Sequence, residues 1–182
     1  MTSPYIVKVV IAKRKKALYY RSMNVSIIYF SLSGRTKMLS QYLAEYLKAE
    51  GYSVEINPLI TRNIGAFVRN CIDAFTRRKV NLEYIPETND AEILFLGSPV
   101  WAFDITPAMY VFLEKANLKD KKVFLYNTYG SGKGKDRAMA LFCRKVESNG
   151  GKIIGKTDIK GRRVKDDFAT FKETVQKCLN QS

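Results

Sequence analysis

The sequence predicts an α/β fold in which a doubly wound, five-stranded parallel sheet has helices on both faces. From Met23 onward, short runs of apolar, β-branched and aromatic residues recur along the chain. Between them lie stretches in which apolar residues repeat at helical spacing. Strands that alternate with helices imply right-handed βαβ crossovers and a parallel sheet covered on both faces. The 182 residues are enough for one domain with a sizeable core.

The first half of this pattern begins with an apolar run at 25–30, which predicts a buried strand. A loop of hydroxyl residues and glycine follows at 31–36. Helical spacing then predicts a helix that stops at Gly51, with the apolar positions Met38, Leu39, Tyr42, Leu43, Tyr46 and Leu47. A second strand is expected at Val54, Ile56 and Leu59, and a further helical stretch near 66–76.

The second half repeats the pattern with a third strand at 92–97, the most apolar of all. Residues 98–107 connect it to a helix that includes Tyr110, Phe112 and Leu113. A fourth strand at 123–126 opens into a loop with three glycines, and the next helix ends near 150–151 with the apolar positions Met139, Phe142 and Val146. A fifth strand begins at 153–155, and the last helix has one apolar stripe, formed by Phe168, Phe171, Val175 and Leu179.

The residue types that are missing exclude several chemistries. The chain has no histidine, which removes Ser-His-Asp and Cys-His catalysis and the H-E-x-x-H zinc site. Its three cysteines, Cys71, Cys143 and Cys178, are widely spaced and have no metal-ligand spacing, so we interpret them as small apolar fillers. We therefore assign no catalytic side chain and no metal site, and we expect the chemistry to come from a bound cofactor.

Of the net charge of +14, residues 1–22 contribute +6, because they hold six bases and no acid. The remaining residues have 25 bases and 17 acids, and these bases are scattered. Neither an aromatic RNA-binding strand nor a basic recognition helix stands out, so we predict no nucleic-acid role. No apolar run is long enough to span a membrane, and residues 1–22 lack the order of a signal peptide. These patterns predict a cytoplasmic protein.

The loops after strands one, three and four are polar and contain glycine. In open parallel sheets, ligands bind at the carboxyl ends of the strands, where the strand order reverses. The first loop enters a helix directly, so its amides, its hydroxyls and the positive helix end could hold a phosphate. It consists of Ser31, Leu32, Ser33, Gly34, Arg35 and Thr36. A simple capped turn is the alternative interpretation of the same residues.

A second glycine-rich tract, at 130–135, only superficially resembles a nucleotide loop. A Walker motif needs glycine at 129 and Ser or Thr at 136, where this chain has Tyr129 and Asp136. It is not a G-x-G-x-x-G motif either, because Lys135 occupies the last glycine position.

Three loops in order make the sequence similar to the flavodoxin family. Ser-x-Ser-Gly-x-Thr at 31–36 resembles the FMN phosphate loop of that family. Residues 97–101 resemble the flavin loop of flavodoxin-like proteins and related NAD(P)H:quinone oxidoreductases, and residues 127–132 resemble a third flavin loop. The resemblance covers about 23–182 and implies the sheet order 2-1-3-4-5 and FMN as cofactor.

The resemblance also implies which residues meet the flavin. Beside the phosphate loop these are Pro99, Val100, Trp101, Ala102, Asn127, Thr128, Tyr129, Gly130 and Gly132. Trp101 is expected to cover or flank the flavin ring, with a core position as the alternative. Tyr129 is expected either to cover the flavin ring or only to form one side of the loop.

Electron transfer through FMN is the function that the resemblance implies. The partner would be a redox protein or a small-molecule acceptor, and since this chain is basic where well-known flavodoxins are acidic, the partner is expected to be acidic. The charge could instead serve solubility alone. Many relatives have a glycine in the second flavin loop that lets a peptide flip, and residues 102–104 have none, which makes one-electron shuttling less secure. An NAD(P)H-dependent quinone or small-molecule reductase and a flavin-free binding module are the alternatives.

Residues 1–22 fall outside the resemblance, which divides the chain into a basic extension at 1–22 and an FMN-binding domain at 23–182. Met23 directly precedes the first strand, as a start codon would. The extension is therefore an over-long gene start, an appended edge strand at 6–11, or a segment attracted to an anionic surface.

Overall fold

The computed structural model describes residues 23–61 and 80–181. The helical stretch predicted near 66–76, the extension at 1–22 and Cys71 all lie outside the described residues.

The described residues form five strands and four helices. The first half contains β1 (Asn24–Tyr29), α1 (Arg35–Ala49), β2 (Ser53–Pro58) and β3 (Ile93–Pro99). The second half contains α2 (Pro107–Lys115), β4 (Lys122–Tyr129), α3 (Lys135–Ser148), β5 (Lys152–Lys160), a 3-10 turn (Gly161–Arg163) and α4 (Phe168–Gln181). All strand pairs are parallel and the strand order is β2-β1-β3-β4-β5. The predicted fold class and strand order are confirmed.

The sheet separates two hydrophobic clusters, because successive side chains of a strand point to opposite faces. In β1, Ile27 belongs to the cluster under α1 and α4, whereas Ile28 belongs to the cluster under α2 and α3. Both residues are completely buried. The central strands therefore have apolar residues at consecutive positions, as strands covered on both faces should.

The carboxyl ends of β1, β3 and β4 lie side by side along one edge of the sheet. Tyr29 is paired with Gly97, and Pro99 is paired with Thr128. The chain leaves β1 for β2 on one side and reaches β3 on the other, so the strand order reverses at β1. The three polar loops therefore meet at the reversal point, where a ligand site is expected.

β5 is longer than its apolar start at 153–155 suggests, because it continues to Lys160. Residues 156–158 of this strand are polar, and β4 is its only neighbour among the described strands. A register shift lies opposite Val123 and Phe124 of β4. The extra length brings Gly161 to the same edge of the sheet as the three loops.

None of the helices in the described ranges combines the length and the hydropathy that crossing a membrane requires.

Candidate functional site

A cleft of about 250 Å³ opens at the carboxyl edge of the sheet. It is lined by residues of all three predicted loops and by one glycine after β5: Leu32, Ser33, Arg35, Pro99, Val100, Trp101, Thr128, Tyr129, Gly130 and Gly161. Loops that are far apart in sequence thus form one continuous surface.

Six of the predicted residues do not line this cleft, and they have different positions. Ser31 and Thr36 have buried hydroxyls in the loop at 31–36, named the phosphate loop for its predicted role, and Gly34 is the residue before α1. Asn127 is completely buried in β4, one position before the lining residue Thr128. The remaining two, Ala102 and Gly132, have positive φ angles in the second and third loops.

Gly161 was not predicted from the sequence. A Cβ atom at this position would lie 2.7 Å from Cδ of Arg35, so glycine leaves room for the Arg35 side chain. Gly161 directly follows the end of β5, and a glycine at that place could have been predicted as a site residue. The end of β5 is not recognisable in the sequence, because residues 156–158 are polar.

The phosphate loop ends in a helix N-terminus that has no internal cap. Gly34 precedes α1 with φ 80°, no side chain caps the helix, and its first turn contains no acidic residue. The first intrahelical bond of α1 runs from the Met38 amide to the Gly34 carbonyl, at 2.9 Å. The amides of the first turn therefore point out of the helix, at its positive end.

The surroundings of this helix end fit an anion. The Ser31 hydroxyl is buried and has no hydrogen-bond partner among the described residues. A Cβ atom at Gly34 would meet nothing within 4 Å, so the space beside the loop is open. Since a buried polar group normally has a partner, an acceptor such as a phosphate oxygen would complete this loop.

Buried hydroxyls connect the phosphate loop to β4. Thr36 Oγ1 lies 2.8 Å from Thr128 Oγ1, and Ser40 donates to the Thr36 carbonyl at 2.8 Å. The Ser40 hydroxyl in turn lies 2.6 Å from the Tyr126 hydroxyl. Burial raises the pKa of Tyr126, so this phenol is neutral at physiological pH. Its ring occupies the space that a side chain at Gly97 would need.

The second loop forms a tight turn from Trp101 to Asp104. The two residues exchange backbone hydrogen bonds of 2.9 and 2.8 Å, and the residues between them, Ala102 and Phe103, have φ angles of 45° and 67°. Such angles are strained in residues with side chains, and strain of this kind is common at ligand sites. The Asp104 carboxylate holds the turn by accepting a hydrogen bond from the Ile105 amide at 2.7 Å.

The sequence left open whether Trp101 lies at the flavin site or in the core, and the structure gives it contacts of both kinds. Trp101 lines the cleft, and its ring packs edge-to-face on Phe30, with ring centroids 5.5 Å apart. The next loop is fixed to this one, because the Val100 amide donates to the Thr128 carbonyl at 2.8 Å. Tyr129 lines the same cleft.

Asn127, which is buried, and Asp158, which is partly buried, occupy paired positions on the adjacent strands β4 and β5 near the start of α3. Burial raises the pKa of Asp158, and the nearby Asn127 amide and the Lys135 ammonium partly offset that rise. The Asn127 amide makes no hydrogen bond of ordinary geometry within the described chain, and neither does Oδ1 of Asp158. These polar atoms therefore have unused hydrogen-bonding capacity next to the third loop.

Comparison with known families shows a match over residues 24–173 to the family model described as flavodoxin. The chain belongs to the flavodoxin family. The predicted family is thereby confirmed, over most of the chain.

Solved structures show how this flavodoxin resembles others in fold. A flavoprotein in complex with FMN from Lactobacillus acidophilus NCFM has 19% identity and a TM-score of 0.59, over 81% of this chain and 99% of that one. The flavodoxin of Streptococcus pneumonia TIGR4 has 15% identity and a TM-score of 0.58, over 87% and 99%. A flavodoxin from the domain Archaea has 14% identity and a TM-score of 0.56, over 86% and 99%. No curated protein has a significantly similar sequence.

Proposed function

We propose that this chain binds FMN in the cleft and transfers electrons through it between redox partners. The observation that supports this most is the uncapped N-terminus of α1, which is open, free of acidic residues in its first turn and next to the unpartnered Ser31 hydroxyl. Family membership and the complex of the Lactobacillus relative with FMN support the same cofactor.

The phosphate of FMN would be held by the loop before α1. Ser31, Ser33 and Thr36 supply hydroxyl donors, and the first amides of α1 supply further donors at the positive helix end. Arg35 adds a positive charge and lines the cleft. Because this loop would close around a terminal phosphate, we propose FMN rather than FAD.

The flavin ring would lie between the second and third loops. Trp101 and Tyr129 offer aromatic surfaces in the cleft, and Pro99 and Val100 offer apolar ones. The polar edge of the ring would be met by backbone groups of residues 99–102 and 127–132. FMN, when bound, supplies the reversible uptake and release of electrons.

The proposed partner is an acidic redox protein or an acidic small-molecule acceptor in the cytoplasm. Exposed bases stand on the loops around the cleft: Arg35, Lys133, Arg162 and Arg163. Opposite charge on the partner would speed association, and salt would weaken that effect. We assign FMN binding to residues 23–182 and give residues 1–22 no part in it.

The absorption spectrum of the purified protein tests this proposal, together with mass analysis of the released ligand. The expected result is a flavin spectrum and the mass of FMN. Because Trp101 lines the cleft, its fluorescence should be quenched in the loaded protein and should recover when FMN is removed. A folded protein that takes up no FMN on reconstitution would favour the flavin-free binding module instead.

A further inference from the structure

Two threonine hydroxyls that are 92 residues apart in sequence meet behind the phosphate loop. Thr36 is the second residue of α1, and Thr128 is the last but one residue of β4. Both side chains are buried, and their Oγ1 atoms are 2.8 Å apart. Either atom can be the donor in the structure itself.

A bound phosphate would decide which threonine donates. Each hydroxyl has one proton to give and can also accept. A phosphate monoester has only acceptor oxygens when fully ionised, so it takes the proton of the hydroxyl that faces it. If Thr36 donates to the phosphate, the bond between the two threonines has to be made by the Thr128 proton.

Thr36 is the better placed of the two to meet the phosphate, because it belongs to the first turn of α1. Its amide is among the outward-pointing donors of that turn, and its hydroxyl leaves from the same residue. Thr128 lies on β4 and lines the cleft itself, and its hydroxyl touches the loop before α1 at Thr36 Oγ1.

The main chain of Thr36 is held independently of its hydroxyl. Ser40 donates its proton to the Thr36 carbonyl, so the short contact between Ser40 and Tyr126 is donated by the tyrosine. Tyr126 and Thr128 point to the same face of β4, since they are two residues apart in a strand. Ser40 therefore holds the carbonyl of Thr36, whereas Thr128 contacts only its hydroxyl and decides where the hydroxyl proton points.

We propose that Thr128 is a positioning residue of the phosphate site, which donates to Thr36 Oγ1 and so keeps the Thr36 proton directed at the phosphate. This inference rests on the proposed binding of FMN. It makes β4, and not the phosphate loop alone, a determinant of the preference for FMN over riboflavin.

Thr→Val substitutions test the assignment, because they keep the shape of the side chain and remove the hydroxyl. The dissociation constants of FMN and riboflavin are measured for the wild type, Thr128→Val, Thr36→Val and the double variant. Thr128→Val should weaken FMN about fivefold, and Thr36→Val, which loses the direct bond to a charged group, about 10-fold or more. Riboflavin should change less than about twofold in both, since it has no phosphate to lose a bond.

The double variant distinguishes positioning from direct contact. If Thr128 acts through Thr36, adding Thr128→Val to Thr36→Val costs less than about twofold in FMN binding. Thr128→Ser restores the hydroxyl and should return FMN binding to the wild-type value. Thr88→Val is the matched control, because Thr88 is a buried threonine whose hydroxyl makes a 2.8 Å bond to the Asn117 carbonyl, outside the cleft. It should leave the ratio of the two affinities unchanged.

Several results would overturn the assignment. An unchanged FMN affinity in Thr128→Val, equal losses for FMN and riboflavin, or the same loss in the Thr36→Val background would each do so. Thr128→Ala gives the same comparison if the valine variant does not fold. A wild-type protein that binds neither flavin overturns the proposed function as well, whereas a wild type that prefers FMN with an unaffected Thr128→Val overturns this inference alone.

Discussion

Helices α1 and α3 begin in the same way but offer different surroundings to a ligand. Each follows a glycine in the left-handed conformation, Gly34 with φ 80° and Gly134 with φ 77°. Neither helix has a side-chain cap. On backbone geometry alone, both N-termini could receive an anion.

The N-termini of α1 and α3 differ in the free space and in the charge around them. A Cβ atom at Gly34 would meet nothing within 4 Å, whereas one at Gly134 would overlap the Phe103 ring. The first turn of α1 has no acid, but that of α3 contains Asp136, which pairs with Lys135 at 2.7 Å. A helix end is therefore an anion site only where it is open and has no anion of its own.

Alanine at the two glycines should show this difference most strongly. Gly134→Ala should lower the free energy of unfolding by about 3 kcal/mol, because the strain of a left-handed alanine adds to the overlap with Phe103. Gly34→Ala should cost only about 1 kcal/mol, since the strain is not accompanied by overlap. Urea unfolding of the apo-proteins measures both. Equal losses would show that the two helix ends are equally packed.

Serine-to-alanine substitutions in the loops before α1 and α3 should differ in their effect on FMN affinity. Ser31→Ala and Ser33→Ala should each weaken FMN by about 1–3 kcal/mol, the cost of losing a hydrogen bond to a charged group. Titration of each variant with FMN and riboflavin measures this. Ser131→Ala in the loop before α3 is the control: any effect through the third flavin loop acts on both ligands, so the ratio of the two affinities should stay unchanged. If Ser131→Ala changed this ratio as much as Ser31→Ala, the phosphate would have been assigned to the wrong helix.

Ser31→Ala has a second expected effect, on the protein without ligand. The Ser31 hydroxyl is buried without a partner in the described chain, so removing it should leave the stability of the apo-protein unchanged or higher. A clear loss of stability in the apo-protein would instead indicate a structural role for this hydroxyl.

The pH dependence of the free energy of unfolding tests the raised pKa of Asp158, which lies near the start of α3. Asp158 lies 3.9 Å from Lys135 at the start of this helix, and burial raises its pKa. The folded protein therefore binds more protons than the unfolded one between the ordinary pKa and the raised pKa, and the free energy of unfolding falls as pH rises through that range. Asp158→Asn should remove this fall and make the protein more stable than wild type at pH 7.

Thermal unfolding of both proteins from pH 3 to pH 8 measures the effect of Asp158. Near pH 3 the advantage of Asp158→Asn should disappear, because the carboxyl is then protonated in both states. A variant that is less stable than wild type at pH 7 would mean that the ion pair with Lys135 outweighs the cost of burial.

The smallest effect is expected from removal of residues 1–22. The cleft and both helix ends lie beyond Met23, so a chain that begins there should fold and bind FMN with less than a tenfold change, about 1.4 kcal/mol. Its association with an acidic partner should be slower at low salt, because six positive charges are lost. An insoluble product, or a larger loss of FMN, would place residues 1–22 within the domain.

Much of the fold follows from local patterns. The apolar runs predicted β1, β3 and β4, and helical spacing predicted α1 and α3. The end of β5 was missed because its residues 156–158 are polar, and Gly161 was missed with it. Sequence patterns report strands best where both faces are buried.

The candidate site was predictable as three loops, but not in its internal contacts. The pair formed by Thr36 and Thr128 joins residues too distant for any local pattern to connect. The tight turn at Trp101 was also not predictable, because Ala102 and Phe103 adopt angles that usually require glycine or asparagine. These contacts depend on how whole elements pack, and only the structure provides that information.

The most direct test of phosphate binding at α1 is the ratio of the dissociation constants of riboflavin and FMN for the wild-type protein. The two ligands differ only by the phosphate, so the ratio isolates the contribution of the loop before α1. An open, uncapped helix end with several hydroxyl donors predicts that FMN binds at least about 100-fold more tightly than riboflavin, about 2.7 kcal/mol. Equal affinities would contradict the assignment of this helix end to the phosphate.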